Sequence, residues 1–193
     1  MNKLNLVLDL DETLIHAIPN NAQIHTYHPK EYFKQTINID DNVYGDAMYN
    51  IHFRPYLEEF IDNVSMIYNI YIYSNGVNSY VFNSLNLLRN KDKITNVFSR
   101  KTPVCNTIKD LEKYGLEPSV TIIIDDRLDV WDRKYYDNII IIPPFYYYQH
   151  SFMNTDSCLE YIEKRLFNIY KLFTSNPKIS MSNIINYSSY LKM

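Results

Sequence analysis

Two aspartates, Asp9 and Asp11, open the segment Asp9-Leu10-Asp11-Glu12-Thr13-Leu14, directly after the apolar run Leu4–Leu8. Alternate side chains of an extended chain face the same way, so both carboxylates can address one pocket. Carboxylates this close repel, which raises the pKa of one of them unless a cation neutralises the pair. The spacing therefore points to a shared proton or a bound divalent ion. The plainer alternative is that Asp11 and Thr13 only cap a turn.

Three other places carry matching chemistry. Ser74-Asn75-Gly76 follows Ile70–Tyr73 and offers a hydroxyl and exposed amides just before a helix, where an oxyanion can sit. Asp125-Asp126 follows Val120–Ile124 and supplies hard oxygen ligands suited to Mg²⁺. Lys109 stands sixteen residues before Asp125, on a short helix expected before that strand. Any one of these is weak. Together, in order on successive elements, they are strong.

The elements that must position these residues alternate between strand-like and helical patterns. Leu4–Leu8, Ile70–Tyr73, Val97–Phe98, Val120–Ile124 and Ile139–Ile142 read as buried strands. Helical spacing appears in residues 56–66, with Leu57, Phe60, Ile61 and Val64 on one face. It recurs in residues 80–88 and more briefly in 108–114, which Gly115 ends. Continuous β-branched runs separated by helices indicate a parallel sheet covered on both faces, an α/β three-layer fold. Ligands of such sheets bind beyond the carboxyl ends of the strands.

Residues 18 to about 50 break this rhythm. Ile24–Tyr27, Thr36–Ile39 and Met48–Phe53 alternate over short lengths, with Asp41, Asn42 and Gly45 supplying turn chemistry. They read as a small antiparallel insertion capping a core of residues 1–150. Residues 151–193 would form a C-terminal helix and tail. Leu159, Ile162, Leu166, Ile169 and Phe173 lie on one face of that helix. Its default is to pack back on the sheet; the alternative is a partner or a second copy of the chain, so a homodimer stays open. The last fifteen or so residues are polar and read as loosely ordered.

Composition narrows the classes. The 193 residues are 46% hydrophobic and 21% charged, enough for one domain with a full core. Lys and Arg total 19 against 22 Asp and Glu, for a net charge of -3. No basic run offers the face a polynucleotide needs, so direct nucleic-acid binding is not expected. No stretch reaches the roughly 18 apolar residues of a membrane span, and the first residues do not read as a signal peptide. Cys105 and Cys158 match no metal-ligand spacing, which suits a reduced intracellular protein of cytoplasm or nucleus. With only 3 glycines, a glycine-rich phosphate loop is excluded. The wealth of Asn, Ile, Tyr and Lys reads as the codon bias of an AT-rich genome, a parasite's or a large DNA virus's.

The segments DLDETLIH, SNG after IYIY, TIKDL and IIDDRLDVW together resemble the FCP/SCP phosphatases of the haloacid dehalogenase (HAD) superfamily. The likeness covers about residues 3–145. The resemblance implies a HAD-like Rossmannoid fold and a Mg²⁺-dependent protein serine/threonine phosphatase whose substrates are phosphoserine or phosphothreonine proteins. Carried over by position, it makes Asp9 the nucleophile, forming an aspartyl-phosphate, and Asp11 the acid and base. Mg²⁺ would be held by Asp9, Asp126 and the backbone carbonyl of Asp11, with Asp125 close by or bound through water. Ser74, where the family usually has Thr, and Lys109 would bind the phosphoryl oxygens, with Asn75 adding an amide donor. Asn75-Gly76 replaces bulkier residues and is expected to widen the pocket floor. No BRCT-like module follows the core in this sequence, so the resemblance carries the chemistry further than the polymerase-tail substrate. The rival readings are a catalytically silent, phosphatase-like scaffold and a small-molecule or lipid phosphatase.

Plainer roles are expected for the neighbours. Thr13 reads as the cap of a helix after the first strand. His16 reads as a structural hydrogen-bonding group, Arg54 as a local anchor rather than a phosphate ligand, and Trp131 as a core plug. Arg127 and Asp129 should pair or fix the loop of Asp126. Tyr146, Tyr147 and Tyr148 read as core packing, with a peptide-binding groove as the alternative.

Overall fold

Apolar runs become central strands here because both of their faces are covered. The computed structural model describes residues 3–20, 22, 33–39, 47–100, 108–149, 156–176 and 178–188. Its strands are β1 (Leu4–Leu8), β2 (Ile15–Pro19), β3 (Phe33–Ile39), β4 (Ala47–Phe53), β5 (Tyr68–Val77), β6 (Ile94–Arg100), β7 (Thr121–Asp125) and β8 (Ile139–Ile141). Its helices are α1 (Leu57–Val64), α2 (Asn78–Leu85), α3 (Cys158–Ser175) and α4 (Met181–Ser188). Five strands form one parallel sheet in the order β6-β5-β1-β7-β8. The other three form an antiparallel sheet, β2-β4-β3. The expected segment 24–27, the turn residues Asp41, Asn42 and Gly45, and Cys105 lie outside the described residues.

The period of two sorts the parallel sheet into two faces. Leu6, Leu8, Ile70, Ile72, Ile122 and Ile124 share one buried cluster with Phe60 and Ile61 of α1, Val81 of α2, and Leu159, Ile162 and Leu166 of α3. Val7, Tyr73 and Ile123 face the other way, against Leu111, Trp131 and Tyr135. Each such apolar side chain contributes about 1.5–3 kcal/mol on burial. The second face is covered by loops and short 3-10 turns, at Glu112–Tyr114, Pro118–Val120 and Arg133–Asn138. The antiparallel sheet closes over α2, where Asn83 Nδ2 donates to the Asn38 carbonyl at 3.0 Å.

Several expectations about elements need correction. No α-helix spans residues 108–114; Gly115, at φ 70°, ends only a 3-10 turn. Lys109 is instead held in a bridge to Trp131: its N–H donates to Val130 O at 2.7 Å, and its carbonyl accepts from the Asp132 N–H at 3.2 Å. That pairing uses the backbone groups a helix would need. β5 does not stop at Tyr73 but runs through Ser74-Asn75-Gly76 to Val77. The polar tail also orders in part, because Met181, Ile184, Ile185 and Ser188 recur at helical spacing and are buried in α4. Helix α3 packs on α1 and α4 of its own chain, as its apolar stripe suggests.

Candidate active site

Strand register brings the acids together. Leu8 pairs with Ile124, so the next step of the ladder sets Asp9 beside Asp125, and Asp9 N–H donates to Ile124 O at 3.0 Å. Both acids share parity with the second face, where Lys109 and Trp131 lie. The Lys109 ammonium, only 2% exposed, donates to Asp9 Oδ1 at 2.5 Å and to Asp125 Oδ2 at 2.8 Å. Its Nζ also stands 5.1 Å from the centre of the Trp131 ring and 5.8 Å from that of Tyr73.

Asp125 is held on both oxygens. Trp131 Nε1 donates to Oδ2 at 2.7 Å, and the Arg127 N–H donates to Oδ1 at 2.8 Å. Asp126 is tied instead to Thr13. The Thr13 hydroxyl donates to Asp126 Oδ1 at 3.2 Å and accepts from the Asp126 N–H at 3.1 Å. Thr13 is therefore not a helix cap, since β1 leads into a turn and then β2. It fastens two loops more than a hundred residues apart in sequence.

Carboxylate oxygens of Asp9, Asp125 and Asp126 all lie within 4.8 Å of one another. Three hard oxygen donors at this spacing fit a small divalent cation. Charge balance argues the same way. Burial raises Asp9 to about 8; Lys109 opposes this, and Asp125 and Asp11 add to it. Lys109 alone leaves this carboxyl short of positive charge, which a cation would supply.

Asp11 stands beside this cluster. Its Oδ1 accepts from the Tyr80 hydroxyl and its Oδ2 from Ser74 Oγ at 3.3 Å. Burial raises its pKa, while the bonds from Tyr80 and Ser74 lower it. Ser74 Oγ in turn accepts from the Gly76 N–H at 2.9 Å. Asn75 follows Ser74 on β5, near the carboxyl end of the strand. The pocket floor is not widened at Gly76. A Cβ there would stand 2.8 Å from Tyr80 Cδ1, so the tyrosine ring fills the space.

Arg54 does not offer its guanidinium to a ligand. Its Nε bonds both oxygens of Asp156 (3.2 and 3.0 Å), its Nη1 bonds Thr13 O (3.1 Å), and its Nη2 bonds Pro143 O (3.0 Å). The local-anchor reading stands, with a longer reach than expected. Arg127 pairs with Asp129 at 2.7 Å, and its N–H fixes Asp125. His16, expected to hydrogen-bond, leaves its buried Nδ1 without a partner among the described residues. It packs against the rings of Tyr146, Tyr147 and Tyr148.

Tyr80 was not legible as a site residue, and Trp131 was legible only as core. The signals available were the glycine four residues before Tyr80 and the aspartate six residues before Trp131. Neither indicates a hydrogen bond without the fold.

Residues 4–185 match the profile of the family described as NLI interacting factor-like phosphatase. The chain belongs to that family. Among curated relatives of this NLI interacting factor-like phosphatase is an RNA polymerase II C-terminal domain phosphatase of Schizosaccharomyces pombe. It is 28% identical over 76% of the chain and 21% of the relative. The Arabidopsis thaliana RNA polymerase II C-terminal domain phosphatase-like 4 is 30% identical over 77% of the chain and 36% of the relative. The chain thus spans about a fifth to a third of the length of these relatives. In fold it is similar to Fcp1, an essential RNA polymerase II CTD phosphatase. The TM-score is 0.74 at 19% identity, over 96% of this chain and 70% of that one. The HAD-type parallel sheet with its small antiparallel sheet is the architecture the DLDETL motif implied.

Proposed function

We propose that this chain is a Mg²⁺-dependent protein serine/threonine phosphatase working through an aspartyl-phosphate on Asp9. The observation that carries this reading is the meeting of Asp9, Asp125 and Asp126 around the ammonium of Lys109 at the carboxyl ends of β1 and β7. The curated relatives are named as phosphatases of a protein tail, which supports a phosphorylated protein as the substrate class.

Asp9, Asp126 and the backbone carbonyl of Asp11 would hold Mg²⁺, with Asp125 adjacent. Bound there, the ion would neutralise charge so that an anionic carboxylate can approach an anionic phosphate. An Asp9 oxygen attacks phosphorus as the bond to the seryl oxygen breaks. Asp11 gives that oxygen a proton and later takes one from the attacking water. Ser74 and Lys109 hold the equatorial phosphoryl oxygens, where charge builds in the transition state. A short antiparallel insertion leaves the mouth open to a side chain on a peptide. No described helix is long and apolar enough to cross a membrane, and the reading puts the enzyme in cytoplasm or nucleus.

The test is phosphate release from p-nitrophenyl phosphate and from a phosphoserine peptide, with Mg²⁺ and then with EDTA. The reading expects EDTA to stop both reactions. Asp9→Asn and Asp11→Asn should each lower turnover about 10³-fold or more, as members of one catalytic unit. Activity that survives both Asp9→Asn and metal removal would overturn the proposal. So would phosphopeptide binding with no release.

A further inference from the structure

We propose that Tyr80 positions the proton-transferring carboxyl of Asp11, and that Gly76 is the residue that lets it do so. This rests on the reading of Asp11 as acid and base.

Tyr80 sits in the first turn of α2 and is only 8% exposed. A buried tyrosine hydroxyl needs a hydrogen-bond partner. Here the partner is Oδ1 of Asp11, at the reaction centre. The ring is wedged from two sides. Below it Gly76 presents no side chain, and a Cβ there would meet Tyr80 Cδ1 at 2.8 Å and Ser74 Oγ at 3.1 Å. On another side Tyr49 of β4 packs on it, with ring centres 5.6 Å apart at 60°. The antiparallel insertion thus reaches the acid through one aromatic contact.

The two oxygens of Asp11 thereby take different roles. Tyr80 occupies Oδ1, which leaves Oδ2 as the atom that carries the proton. When the phosphorus–seryl oxygen bond breaks, its electron pair stays on the seryl oxygen. The Oδ2 proton goes to that oxygen as Asp9 takes the phosphoryl group. In the second half, the water oxygen bonds phosphorus, the Asp9–phosphorus bond breaks, and Oδ2 recovers a proton from the water. Ser74, whose hydroxyl meets Oδ2 in the free protein, turns to the phosphoryl oxygens when substrate arrives.

Leaving-group dependence separates this role from a structural one. A nitrophenolate departs without a proton, whereas a seryl alkoxide does not. With the full 193-residue chain, Tyr80→Phe should lower kcat on a phosphoserine peptide about 10–100-fold, within the usual contribution of general acid catalysis. The loss on p-nitrophenyl phosphate should be at least tenfold smaller, with KM for the peptide held. Gly76→Ala, which displaces the ring without removing its hydroxyl, should give the same selective loss. The double variant should add little to either, because the two changes act on one contact. Equal losses on the two substrates, or none, would overturn the role of Tyr80 while leaving the phosphatase reading intact. A wild-type chain that releases phosphate from neither substrate would overturn that reading and Tyr80's role with it.

Discussion

Trp131 Nε1 and Lys109 Nζ share one acceptor, Oδ2 of Asp125, at 2.7 and 2.8 Å. The indole fixes the carboxylate plane, and the ammonium neutralises it. Partners that orient a metal-binding carboxylate typically contribute 10–100-fold to metal affinity. Trp131→Phe keeps most of the buried volume but removes the donor. It should raise the Mg²⁺ concentration for half-maximal phosphate release by about 10–100-fold. A Mg²⁺ titration of the variant checks this, and an unchanged midpoint would show that the indole only packs.

Metal binding should also be visible without turnover. A ligand present at a hundred times its Kd adds about 2.7 kcal/mol of stability. For a chain of this size that is a rise of about 5–10 °C in Tm. Mg²⁺ should produce such a rise in the wild type, and EDTA should reverse it. Asp126→Asn should abolish the rise. Thr13→Val, which cuts both bonds between Thr13 and Asp126, should shrink it. Differential scanning fluorimetry reads all three proteins.

Arg54 and Asp156 form a buried pair, 1% and 2% exposed in their side chains. Asp156 Oδ1 also accepts from the Cys158 N–H at 2.9 Å, at the start of α3. Removing one member of a buried pair strands the other charge, at a cost of about 3–5 kcal/mol. Asp156→Ala should therefore lower Tm by about 6–20 °C. Urea denaturation measures the same loss directly; a shift under 1 kcal/mol would contradict the anchor role.

Acid should weaken the fold through His16. Burial among tyrosine rings lowers its pKa from 6.5 to about 4. The unfolded chain takes up the proton near pH 6.5, whereas the folded chain resists until about pH 4. Stability from this group is complete above pH 6.5 and is lost as pH falls through that window. The slope is at most about 1.4 kcal/mol per pH unit for one proton. His16→Phe should flatten the decline in Tm between pH 7 and pH 4.5. A decline as steep as in the wild type would assign the acid sensitivity to other groups.

The parts of the site legible in the sequence were those fixed by strand periodicity. Asp9 and Asp125 follow buried runs of matching parity, so parallel pairing was enough to set them side by side. Lys109 was legible by its order in the chain but not by its conformation. Its bridge to Trp131 pairs residues from two loops, which no local pattern encodes. Thr13 suggested a cap because a helix usually follows the first strand of such a fold; here Leu10–Leu14 closes a turn into β2. Tyr80 and Trp131 look like ordinary core aromatics in sequence. Their polar tips matter only because tertiary packing delivers each to a carboxylate.

The middle strand of the parallel sheet is the earliest of its five to be synthesised. Its neighbours follow some sixty and well over a hundred residues later. On the ribosome, at roughly 5–20 residues per second, Leu4–Leu8 must wait many seconds with both edges open and its leucines uncovered. Pairing over such separations is slow as well. The strand carrying Asp9 is therefore the segment of a nascent chain most in need of shielding by chaperones. No truncated translation product ending before residue 125 can assemble the paired acids.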